Sequence, residues 1–160
     1  MVSKLNSMRF LETNGVQYEV LTYDDAIHDA AAAAAAMGVP GEQVYKTLVV
    51  EPAIHKPLLV MVAATQQLDL KKFATAIGEK KIGMAAHADA EKWTGLKVGG
   101  IGALALTHKH WAVYLDQGAA RQITIYLNAG QRGINLRVPV TELVRVLQAR
   151  VVDAGTLLVR

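Results

Sequence analysis

A single lysine interrupts an otherwise uncharged strand-like run, Val44-Tyr45-Lys46-Thr47-Leu48-Val49-Val50. Side chains alternate faces along a strand, so Lys46 shares one face with Val44, Leu48 and Val50, and Tyr45, Thr47 and Val49 take the other. Neither face reads as solvated. Burying an ammonium costs several kcal/mol unless it meets an anion, so the position reads as a site that receives negative charge from a ligand. Two other arrangements also accommodate it: an edge strand whose lysine snorkels to water, or an internal carboxylate partner.

The remaining composition narrows the chemistry. A chain of 160 residues supports one domain, here residues 1–160, with a full apolar core. Apolar residues make up 52% and charged residues 19%, a globular balance. No apolar run is long enough to span a membrane, and the first ten residues do not resemble a secretory signal, so a cytoplasmic location is expected. The absence of cysteine removes disulfides, thiol nucleophiles and thiolate metal sites. Only Ser3 and Ser7 are serines, both in the first predicted helix, which excludes a serine nucleophile set in the sheet. The five histidines form no metalloprotease pattern, and His108 and His110 read as a solvated basic turn. A net charge of +3 neither demands nor excludes nucleic acid.

Periodicity predicts an α+β chain. A first helix lies within residues 3–14, and a strand spans 17–23. Asp24-Asp25 offers an N-cap for an alanine-rich helix running to Gly38. The lysine strand and Pro57 to Ala64 are joined by a short connection through Pro52 and His55, which suggests a hairpin. Asp69 caps a helix stopped by Gly78. A short strand over 80–84, a short helix over 88–93, strands at 111–115, 123–127 and 134–138, and a closing helix over 141–149 complete the order. Strands and helices do not alternate strictly, so the sheet is expected to be mixed and mostly antiparallel, flanked by helices.

One further segment invites chemistry. Thr94-Gly95-Leu96-Lys97-Val98-Gly99-Gly100-Ile101-Gly102-Ala103 carries four glycines. Such a stretch lets backbone approach a ligand and lets amides converge on an anion or oxyanion. It lacks the Gly-Lys-Ser or Gly-Lys-Thr ending of a nucleoside-triphosphate loop.

Taken in order, Gln43 to Val50, Leu68-Asp69-Leu70-Lys71-Lys72, Thr94-Gly95 with Val98-Gly99-Gly100-Ile101, and Thr124-Ile125-Tyr126 with Arg132-Gly133 resemble the YbaK/EbsC-type aminoacyl-tRNA deacylases. These are relatives of the editing domain inserted in bacterial prolyl-tRNA synthetases. The resemblance spans roughly residues 8 to 150. It implies a mixed-sheet α+β domain that hydrolyses the ester between a wrong amino acid, cysteine or alanine, and the terminal adenosine of tRNA, with proline tRNA as the expected substrate and prolyl-tRNA synthetase as a possible partner. No cofactor, metal, membrane or DNA is implied.

By the same resemblance Lys46 binds the terminal phosphate or orients the ester, and Gly100, Ile101 and Gly102 stabilise the oxyanion through their amides. Tyr23, Thr47, Gly99 and Asn135 hold the substrate. In the cysteine branch the substrate's own thiol attacks the carbonyl, so the enzyme mostly holds geometry. Three departures stand out. Gly100-Ile101-Gly102-Ala103 replaces the family's Gly-Ile-Ser-Pro, Asn135 replaces an aspartate, and the segment 24–37 is shorter and alanine-rich. Restoring Ser and Pro at 102 and 103 is expected to raise turnover or shift preference. Two rival readings are a non-catalytic module binding tRNA or aminoacyl-adenosine, and a partner-docking domain that uses the alanine helix.

Overall fold

The computed structural model describes residues 3–52 and 56–158. In chain order the first half holds α1 (Asn6–Thr13), β1 (Glu19–Thr22), α2 (Ala30–Met37), β2 (Val44–Pro52), β3 (Leu58–Ala63), β4 (Gln66–Leu68) and α3 (Leu70–Ile77). The second half holds β5 (Ile82–Met84), α4 (His87–Thr94), β6 (Val113–Asp116), β7 (Thr124–Asn128), β8 (Ile134–Pro139), α5 (Val140–Leu147), β9 (Arg150–Val152) and β10 (Gly155–Leu157).

Seven strands run in the order β1-β8-β7-β2-β3-β6-β9, β5 also pairs with β2, and β10 pairs with β4 in a separate ribbon. β1 with β8, β8 with β7, β2 with β3 and β2 with β5 are antiparallel, whereas β2 with β7, β3 with β6 and β6 with β9 are parallel. Every residue of β3 is buried, as an unbroken Leu-Leu-Val-Met-Val-Ala run requires when both faces are covered. It forms the predicted hairpin with β2, Lys46 opposite Val62 and Thr47 opposite Met61. His55, read as part of that connection, lies outside the described residues.

The two faces of β2 meet different layers. Tyr45 and Val49 join the main core with Met61, Leu115, Ile125, Leu127 and Leu143. On the opposite face Val50 packs with Val60, Val62, Phe73 and Tyr114, and Val44 packs with Ala34 and Tyr126. Phe73 meets Tyr114 edge-on at 5.2 Å between ring centres. Lys46 therefore stands on the face between α2 and α3.

Local signals explain most helix ends and correct one. Asp69 accepts from the Lys72 amide at 3.0 Å and Gly78 stops α3 in the left-handed region. The cap of α2 is Asp29, which accepts from Ala32, and not Asp24-Asp25. Asp24 instead accepts from the Ala26 amide and makes a turn. The helix thus covers the alanine run as expected but starts later than Asp24-Asp25 suggest. The closing helix is preceded by Pro139 at its N-cap, with no role for Thr141 as the cap.

Asp116 closes the far end of the sheet. Its carboxylate is 2% exposed and accepts from the amides of Ala154 at 2.9 Å, Gly155 at 2.8 Å and Gly118 at 3.0 Å. Burial alone would raise this carboxyl; the amide donors and Gln66 outweigh it and hold it below the usual aspartate value. A depressed folded-state pKa contributes stability above the unfolded value, and that stability is lost as pH falls through the folded one. Asp116→Asn replaces an acceptor oxygen with a donor, and should cost about 2 kcal/mol, or roughly 4–8 °C in Tm, at neutral pH. Thermal melts at pH 7 and pH 3 check this: the gap between wild type and variant should narrow in acid.

Candidate active site

The pocket lies where the sheet opens beside β2. On one side β2 pairs with β3 along its length. On the other it pairs with β7 only at Val44 and Tyr45, and with β5 only from Val50 onward. Residues 46–49 between these two contacts face a cavity of about 210 Å³. Parallel β7 pairs with β2 only as far as Leu127 and ends at Asn128, and α4, following β5, closes the far wall with His87 and Ala90.

Lys46 extends into this cavity half-buried. Burial pushes its ammonium below the usual lysine value, with the negative charge of Asp29 acting in the opposite direction. No described carboxylate forms a salt bridge or hydrogen bond with it. Asp29 also lines the cavity, but its carboxylate caps α2. Of the three arrangements open to the lysine, the internal ion pair and the edge strand do not occur: β2 is central in the sheet.

The glycine-rich segment forms the opposite wall and is held by specific bonds. Asn128 donates through Nδ2 to the Gly99 carbonyl at 2.9 Å, while its Oδ1 accepts from the amides of Gly130 and Gln131. Arg132 donates through Nε to the Val98 carbonyl at 2.8 Å. Glu91 accepts from the Val98 amide at 2.8 Å. Gly99 has φ of +90°, and a Cβ there would lie 2.8 Å from the Cβ of His28, so glycine is needed for both conformation and space.

Six of the eight residues predicted from the sequence line the cavity: Lys46, Thr47, Tyr23, Gly99, Ile101 and Asn135. Gly100 and Gly102 do not. The Gly100 amide donates to the Lys97 carbonyl at 2.7 Å and closes a turn, so it has no free proton to offer an oxyanion. Gly102 packs against the Asn128 carbonyl. Their role is to let the loop lie against the 128–132 turn, which leaves Val98, Gly99 and Ile101 lining the cavity.

Polar side chains join at its base. The Tyr23 hydroxyl donates to Asn135 Oδ1 at 3.2 Å, and Asn135 is 3% exposed. Burial pushes the Tyr23 phenol above its usual value, so it remains protonated and a donor. The Ala103 amide donates to Thr47 Oγ1 at 3.3 Å, tying the loop to β2. Ser7 is buried in α1 and donates to the Ala129 carbonyl at 2.6 Å, a structural use outside the cavity lining. No cluster of three or more histidine, aspartate or glutamate side chains able to hold a metal stands among the described residues.

Sequence reasoning missed His28, Asp29, Met84, His87 and Asn128 as lining residues. Asn128 carried only a turn signal in Asn128-Ala129-Gly130, and Asp29 was hidden behind the better-placed Asp24-Asp25 cap.

Comparison with known proteins gives the family. The aminoacyl-tRNA editing domain profile matches residues 24–146. The chain is 32% identical over 138 residues, 84% of its length and 83% of the other's, to a protein of Enterococcus faecalis named as a candidate Cys-tRNA(Pro)/Cys-tRNA(Cys) deacylase, EbsC. Among solved structures, a candidate trans-editing enzyme for prolyl-tRNA synthetase superposes with a TM-score of 0.82 at 24% identity, covering 96% of this chain and 99% of that one. A hypothetical protein superposes at 0.85 and 22% identity, covering 92% and 97%. The last two likenesses establish the fold. The chain belongs to the aminoacyl-tRNA editing domain family.

Proposed function

We propose that this protein is a deacylase that hydrolyses the ester of mischarged aminoacyl-tRNA, with cysteine or alanine on proline tRNA as substrate. The observation that carries the reading is Lys46, a half-buried ammonium with no ion pair among the described residues, aimed into a cavity beside the glycine wall of a family that edits aminoacyl-tRNA. Lys46 takes a phosphate or ester oxygen of the terminal nucleotide. Ile101, whose amide donates to no described residue, faces the developing oxyanion. Tyr23 and Asn135 order the base of the cavity, and Thr47 fixes the loop against β2.

The inventory favours substrate positioning over a protein nucleophile. There is no cysteine, and the one described serine that is buried binds a backbone carbonyl. Water, or the thiol of a cysteinyl substrate, then attacks the carbonyl carbon. The C–O bond to the ribose breaks and the ribose oxygen is reprotonated. A panel of cysteine, alanine and serine on proline tRNA, followed over time for amino-acid release, tests the activity; no release above the spontaneous rate from any member would overturn it.

Activity should survive EDTA and gain nothing from added zinc, because the lining histidines His28 and His87 are not joined by a third ligand in any described cluster. Loss with EDTA and rescue by zinc, with magnesium kept for the tRNA, would contradict this.

A further inference from the structure

The cavity presents three backbone groups that a sheet normally satisfies. Two hydrogen bonds fix which way the residues of β2 point. The Val44 carbonyl accepts from the Ala64 amide at 2.7 Å, on the side of β3, and the Val49 carbonyl accepts from the Ala85 amide at 3.1 Å, on the side of β5. The N–H and C=O of one strand residue point the same way and alternate along the strand. Lys46 and Leu48 therefore bond to β3, while Tyr45, Thr47 and Val49 face β7 and β5.

Pairing with β7 ends at Tyr45, and pairing with β5 begins at Val50. The N–H and C=O of Thr47 and the N–H of Val49 thus have no partner among the described residues. Thr47 is 9% exposed and Val49 4%, and both line the cavity. Buried backbone groups are nearly always paired, and an orphan carries the full penalty of its desolvation. Three adjacent orphans on a central strand mark a place where a ligand completes the sheet.

Resting on the function proposed above, we infer that the aminoacyl group docks on this edge as one residue of an added strand. Its α-ammonium donates to the Thr47 carbonyl, and its ester carbonyl accepts from the N–H of Thr47 or of Val49. An aminoacyl ester offers its nitrogen and carbonyl in the order of a strand residue. Set antiparallel opposite Thr47, it meets both groups of that residue; set parallel opposite Leu48, it takes the Thr47 carbonyl and the Val49 amide. The edge N–H then joins the Ile101 amide at the carbonyl, supplying the second donor that Gly100 cannot. These substrate groups are common to all amino acids, so the edge fixes the ester and leaves side-chain selection to the wall around Ala33, Met84 and His87.

Amide hydrogen exchange read by NMR tests this on the whole protein, free and with 3′-alanylamino-3′-deoxyadenosine, a non-hydrolysable amide analogue. In the free protein the Thr47 and Val49 amides should exchange faster than those of Lys46 and Leu48. Bound analogue should slow Thr47 or Val49 by about tenfold, the effect of one hydrogen bond. The analogue lacking its α-amine should bind roughly ten- to a hundredfold more weakly. If the analogue binds while both amides exchange as before and loss of the amine is harmless, the edge is not the site and the deacylase reading stands. If the analogue does not bind and wild type releases no amino acid, both readings fall.

Discussion

Lys46→Ala is expected to lower deacylation of the best mischarged tRNA by roughly a hundredfold or more, the equivalent of about 3 kcal/mol in charge-assisted contacts to the substrate. The same change should leave thermal stability unchanged or slightly higher. Burial already disfavours this ammonium, and no described ion pair is lost with it. The two readouts together separate a ligand cation from a structural one, since a lysine holding the fold would lose Tm along with rate. Lys46→Arg should fail as well. A planar guanidinium places its charge further out and in a fork, where the lysine offers a compact point charge. Near wild-type turnover by Lys46→Ala would remove this residue from the site.

Gly102→Val should destabilise the protein by roughly 3 kcal/mol, lowering Tm by about 6–12 °C. A Cβ at Gly102 would stand 2.1 Å from the carbonyl oxygen of Asn128, 3.0 Å from its carbon and 3.2 Å from the Gly130 nitrogen. All three are backbone atoms in the turn that holds the loop, so none can swing aside. The displaced turn carries Asn128, and with it the bond to Gly99, so deacylation should fall further than stability alone explains. This reverses what the sequence suggested. Restoring serine at 102 meets the same contact, and proline at 103 deletes the amide that binds Thr47. Gly102→Ser with Ala103→Pro is therefore expected to lose stability and turnover. Differential scanning calorimetry beside the deacylation assay decides between the two outcomes.

Long, strongly patterned elements were legible in the sequence. The apolar runs of β2 and β3, Asp69 and Gly78 at the two ends of α3, and the hairpin between the long strands all follow from local chemistry. Strands of three residues such as β4, β9 and β10 are too short to show a period; they are set by long-range pairing, β10 with β4 and β9 with β6, with Asp116 accepting from Ala154 and Gly155 where β9 passes into β10. For the candidate site, an apolar strand with one lysine pointed to Lys46, and the structure places that residue in the cavity lining. The glycines were found for a related but different reason: Gly100 and Gly102 matter because backbone crosses backbone there. Which amides remain free is a property of the completed bonding pattern and cannot be read from spacing. The gap in the sheet was equally invisible, because it arises from where β7 and β5 stop pairing with β2.

The most direct measurement of the central claim is the time course of amino-acid release from Cys-tRNA(Pro) and Ala-tRNA(Pro), with wild type and Lys46→Ala side by side at equal folded concentration. The account predicts that wild type clears at least one of the two well above the spontaneous rate, and that Lys46→Ala is close to that rate at unchanged Tm. Equal release by both proteins, or none by wild type, would contradict it.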